Sequence, residues 1–115
     1  MRVTFTGPDT LWLSDDEVAK IVAASGFAIT ELVSSHHGVS RCAENWAHER
    51  GIPVKVIHTN RTMDGKGAVG IQAQLITQVV QAAIVVGKPN HLASLVKRAG
   101  KPVFVHRPGF AVVSA

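Results

Sequence analysis

The chain is poor in the residues that most often declare a chemistry. It has one cysteine, Cys42, among 115 residues, so no internal disulfide can form, and a reducing, cytoplasmic setting is expected. Aromatics make up 5% of the chain, and the basic stripe with interleaved aromatic side chains that marks a nucleic-acid binder is missing. Asp and Glu together number 8, against 12 Lys and Arg. Asp9, Glu31, Glu44 and Asp64 fall near predicted element ends, but no spacing brings two of them together for acid–base work. No H-x-E-x-H or C-x-x-C spacing points to a metal centre, and no cofactor is expected. The longest apolar runs, such as AAIVV at 82–86, are far too short to cross a membrane. In MRVTFTGPDT the Gly-Pro pair breaks the apolar stretch too early for a signal peptide.

What is present reads as one ordinary globular domain over 1–115. The composition is 46% hydrophobic and 17% charged, with 10 Gly and 5 Pro. A chain of this length buries roughly 65–70% of its unfolded surface and needs no disulfide or metal to fold. The net charge of +4 permits contact with a phosphate-bearing ligand or with nucleic acid, but it is dispersed along the chain. The one local basic cluster, Lys97, Arg98 and Lys101, reads as the solvated end of a helix.

RVTFTG (2–7) is a strand-like run stopped by Gly-Pro. Ser14 and Glu17 form an S-x-x-E capping box that opens a helix through DDEVAKIVAAS, with Val18, Ile21 and Val22 inward and Gly26 as its end. FAITELVSS reads as a second strand. A helix is expected from Ser40 to about Arg50, then VKVIHT as a third strand and a polar loop NRTMDGKGAVG (60–70). QAQLITQVVQA reads as a helix with Leu75, Val79 and Val80 inward, followed by the strand AAIVVG, the helix HLASLVKRAG and the strand KPVFVHR. Strands of near-continuous apolar character alternating with helices predict a three-layer α/β fold. Its parallel sheet has about five strands, with helices on both faces. Ligands of such sheets sit at the carboxyl edge, beside helix amino termini, where the loops 7–14, 34–40 and 87–91 converge.

The loop SSHHGVSRC (34–42) carries the sharpest question. Phosphate binding at a helix amino terminus needs N–H groups and close approach. Gly38 permits an unusual backbone, Ser34 and Ser35 can donate hydroxyl hydrogen bonds, and Ser40 can cap the helix. A capped turn without a ligand is the equal alternative. His36 and His37 are adjacent and point to opposite sides of an extended segment, so with His58, His91 and His106 they read as scattered imidazoles and not as a metal set. Lys66, flanked by Gly65 and Gly67, can reach a phosphate as a mobile charge or lie in a solvated turn. Arg41 and Arg61 are further cationic candidates. Cys42 reads as a packing residue, Trp46 as core, and Trp12 as part of a hydrophobic staple that could otherwise stack on a base.

The segments RVTFTG, HHGVSRCAENWAHERGIPVKV, DGKGAVGIQAQLI and LVKRAGKPV together resemble the small single-domain branch of the SLOG superfamily. These are Rossmann-like proteins related to the DNA-processing protein DprA and to the "lonely guy" cytokinin-activating enzymes. The resemblance covers about residues 2 to 106. The family's Gly-Gly-Ala-Arg-Gly-Ala-Asp loop falls on residues 34–40, where Gly38 matches. Its Gly-x-Arg falls on Gly7, Pro8 and Asp9, its Arg-Asn pair on Gln72 and Ala73, and its last glycine turn on residues 88–92. The resemblance implies a Rossmann-like fold with a pocket for a nucleotide or nucleotide-derived ligand, and no catalytic motif of the family is matched. The expectation is binding without turnover by Gly7, Ser34, Ser35, His37, Gly38, Lys66, Gly67 and Asn90. A scaffold that serves a protein partner, in a mobile-element or host-defence setting, is the alternative. A hydrolase of N-glycosidic bonds is the weaker one. A homodimer is expected, with the apolar tail FAVVSA adding to an interface.

Overall fold

The structure is a computed structural model that describes residues 1–8, 11–57 and 68–107. Strands and helices alternate along it: β1 (Arg2–Thr6), α1 (Asp15–Ser25), β2 (Glu31–Ser34), α2 (Val39–Glu49), β3 (Val54–Val56), α3 (Ala68–Val79), β4 (Ala82–Val86), α4 (His91–Arg98) and β5 (Val103–His106). The five strands form one sheet in the order β3-β2-β1-β4-β5, and every pairing is parallel. The fold is therefore the expected α/β sandwich of Rossmann type. None of the helices among the described residues is long and apolar enough to cross a membrane.

The sequence character of each strand follows from its place. β4 lies between β1 and β5 and is covered on both faces, so all five residues of AAIVV are buried and no polar alternation survives. The strand order reverses direction once. From β1 the chain steps outward to β2 and β3, and then returns across the sheet to β4 on the other side of β1. Right-handed crossovers place α1 and α2 on one face and α3 and α4 on the other. The core divides accordingly. Val3, Phe5, Leu32 and Ile84 pack with Val18, Ile21, Cys42 and Trp46, whereas Val33 and Ala83 pack with Ile76, Val80, Leu92 and Val96.

The capping box of α1 is complete. Ser14 Oγ accepts the Glu17 N–H at 3.2 Å and Glu17 Oε1 accepts the Ser14 N–H at 3.3 Å. Leu13, the residue before the cap, is buried with Val18, so the staple is made by Leu13 while Trp12 stands 65% exposed. Cys42 and Trp46 are core residues as expected; Cys42 Sγ accepts the Leu13 N–H at 3.3 Å.

Three expectations need correction. β2 begins at Glu31 and not at Phe27, because Phe27 plugs the turn after α1, packing on the core while its N–H donates to Ser25 Oγ. α2 begins at Val39, with Gly38 at its cap position; Ser40 does not cap it, since its hydroxyl donates to the carbonyl of Phe5 on β1. On α3 the inward residues are Gln72, Ala73 and Ile76, whereas Leu75 is exposed; Val80, just past the helix end, is buried as expected. That helix is apolar around much of its circumference, so periodicity alone does not select a face.

Candidate functional site

Where β1 and β4 lie side by side their chains leave in opposite directions, and the carboxyl edge opens there into a cleft of about 310 Å³. Its floor is the end of β1, Thr6 and Gly7. One wall is the β2–α2 turn, with Ser35, His37 and Ser40. The others are the inner face of α3, with Gln72 and Ile76, and the start of α4, with Asn90 and His91. Gly7 is there for space. A Cβ on it would meet Val39 Cγ2 at 2.8 Å and the Val86 carbonyl at 2.9 Å. Its absence lets the amino end of α2 come down onto the sheet edge.

The polar groups of the cleft are tied together from several elements. Asn90 accepts the Ala93 N–H on Oδ1 at 3.0 Å, capping α4, and its Nδ2 donates to Thr6 Oγ1 at 2.6 Å. Ser35 Oγ donates to Ser40 Oγ at 3.1 Å, and Ser40 passes the chain on to the Phe5 carbonyl. Gln72 Nε2 donates to the Ile57 carbonyl at 2.6 Å and the Ser35 carbonyl at 3.3 Å, joining α3 to the ends of β2 and β3. At α2 the cap position is held by Gly38 (φ 49°, ψ −121°) and no side chain caps the helix. No carboxylate is among the described residues that line the cleft.

Of the residues expected from the sequence, the cleft brings together Gly7, Ser35, His37 and Asn90. Ser34 is not on its surface. It is buried beneath the turn, where its hydroxyl donates to Glu44 Oε2 at 2.6 Å and accepts the His36 N–H at 3.0 Å. Gly38 shapes the turn without lining the cavity. Lys66 and Gly67 lie outside the described residues, as do Asp9, His58, Arg61, Asp64 and the tail FAVVSA. Trp12 lies on a different groove, beside Asp15 and Glu49. Among the described residues no three His, Cys, Asp or Glu converge as metal ligands would.

The residues left out of the expected binding set are Thr6, Gln72 and His91 as cleft walls, and Glu44 as the support of the turn. Of these, Gln72 enters the sequence reading only as the place where the family's Arg-Asn pair falls. Gln72 had a legible sign, a polar residue one turn from Ile76 on the side that carries the buried stripe. Glu44 had none, since its partners Ser34 and His36 precede it across a turn whose path the sequence does not specify. Comparisons with known protein families, with curated proteins and with solved structures found no match.

Proposed function

We propose that the cleft binds a nucleotide or another phosphate-bearing molecule derived from one, without turning it over. The observation that carries this reading is the uncapped amino end of α2 at the switch point of the sheet. Ser14 and Asn90 each accept one amide at the start of α1 and α4, but no side chain caps α2. Its Ser40 and Arg41 N–H groups turn back to the carbonyls of His37 and Gly38, and the end keeps its positive dipole beside His37, at the place where ligands of open parallel sheets bind. Cleft walls with imidazoles and hydroxyls and no carboxylate among the described lining residues favour an anion. They also weigh against the N-glycosidase alternative, which requires carboxylates facing the ligand. An open cavity of this size weighs against a scaffold with a filled pocket. On this reading the chain is a SLOG-like protein whose ligand loop has been remodelled around one glycine.

Thermal-shift measurements on the whole chain test it, with mono-, di- and cyclic nucleotides, NAD and ADP-ribose, and inorganic phosphate as control. A ligand at about 100 times its Kd adds about 2.7 kcal/mol of stability. The expected result is a raised midpoint with at least one nucleotide, reduced by His37→Ala. No shift with any compound rejects the reading.

The partner we propose is a second copy of the chain, seated on α3. That helix contains no charged residue in its 12, and its outer side exposes Ile71 and Leu75 one turn apart. In a chain of net charge +4 a self-interface must avoid like charges, and α3 provides such a face.

A further inference from the structure

Gln72 is 6% exposed, yet it lines the cleft. Its primary amide has two N–H bonds, and Nε2 lies within hydrogen-bond reach of two backbone carbonyls, those of Ile57 and Ser35. Both partners can only accept, so the amide has one orientation; turned round, Oε1 would face two carbonyl oxygens. With Nε2 so engaged, Oε1 is the polar atom Gln72 has left to offer the cavity, and no described residue donates a hydrogen bond to it. Among the described residues the fully buried side-chain polar atoms without a partner are Thr4 Oγ1 and Trp46 Nε1, so Gln72 Oε1 is open to solvent on the cleft side. A ligand that displaces water from it must supply a donor in its place. A bare phosphate does not, because the anion would bring further lone pairs.

We infer that Gln72 Oε1 accepts a hydrogen bond from a hydroxyl or amino group of the ligand. The cleft therefore selects a sugar phosphate or nucleoside monophosphate over an anion that lacks such a donor. This rests on the anion reading above and adds the second half of the recognition. The amino end of α2 takes the phosphate, and the α3 wall reads the sugar or base. The cleft's volume of about 310 Å³ stands at the low end of the ~300–1,000 Å³ range of ligand pockets, which suits one such unit and not a dinucleotide.

The test is calorimetric titration of the whole chain with ribose 5-phosphate, AMP, and methyl phosphate, which carries the anion but no hydroxyl or amino donor. Wild type is expected to bind ribose 5-phosphate or AMP about tenfold more tightly than methyl phosphate, the worth of one hydrogen bond. In Gln72→Met that ratio falls toward one while methyl phosphate binding is kept. Gln72→Lys serves if the Met variant does not fold, since an ammonium can still donate to the two carbonyls and has no acceptor. Equal affinities in wild type, or a ratio unchanged by either variant, overturn the inference and leave the anion reading standing. Failure of all three compounds to bind rejects both.

Discussion

The Glu44 carboxylate stands 2.9 Å from His36 Nδ1, and this pair closes the turn that forms one wall of the cleft. His36 has φ 64°, the left-handed region, in a position where a glycine would be at ease and a histidine costs about 1–2 kcal/mol. The imidazole, with Nδ1–H donating, is one tie that keeps it there. The same carboxylate accepts the hydroxyl of Ser34, and Ser34 accepts the His36 amide. A loop with a single glycine thus makes the sharp bend through a buried acid. Glu44→Ala leaves the Ser34 hydroxyl buried without its acceptor, and a loss of about 1–3 kcal/mol is expected. Glu44→Gln keeps an acceptor for Ser34, gives up the charge-assisted bond to His36, and falls between. Thermal melts of the variants check the order; equal stability of Glu44→Ala and wild type contradicts it.

Gly7→Ala tests whether that glycine serves packing. Its Cβ would lie under 3.0 Å from a Val39 methyl and from the Val86 carbonyl, and a backbone carbonyl in a central strand does not move aside cheaply. Overpacking of this kind costs about 1–3 kcal/mol. The Gly7→Ala, Val39→Ala double variant removes one clash and leaves the other, so partial recovery relative to Val39→Ala alone is expected. Full recovery would mean that the carbonyl contact carries no cost.

Most of the fold was legible because its signals are local. AAIVV could only be a strand covered on both faces, and Ser14 with Glu17 marked the start of a helix to the residue. The errors fall where the deciding contact is distant. Ser40 was the obvious cap by type, but the carbonyl of Phe5 lies within reach of its hydroxyl and the helix starts without it. Leu75 and Ile76 are adjacent in a helix with little polar contrast, so only the approach of α4 and β2 decides which is buried. In the cleft, Ser35, His37 and Asn90 were legible as loop residues at the carboxyl edge. Gln72 comes from the middle of the chain and enters only when α3 is laid back across the sheet.

The α3 face yields a mass. Sedimentation equilibrium is expected to show twice the 12.2 kDa of the chain, and Leu75→Glu or Ile71→Glu is expected to return the monomer with an unchanged circular dichroism spectrum. Each places a charge on a face that has none, where a two-fold contact would bring it against its own copy. A wild-type monomer at high micromolar concentration ends the proposal, and a dimer indifferent to both substitutions moves the interface elsewhere.

A last prediction concerns the junction of α1 and α2, away from the cleft. The Glu49 carboxyl is held above its ordinary value of 4.5, first by a hydrogen bond shared with Asp15 and then by the repulsion of that carboxylate. Ionising Glu49 is therefore harder in the folded chain than in the unfolded one. Well below 4.5 the group is protonated in both states and has no effect on stability. As pH rises through the folded value, the fold is penalised relative to the unfolded chain, and the penalty persists to neutral pH. Glu49→Gln removes the charge and keeps the shape. It is expected to raise the melting temperature modestly at pH 7, less so in high salt because the group is exposed and screened, and to leave it unchanged at pH 3. A gain of equal size at both pH values would show that the substitution acts through something other than this carboxylate pair.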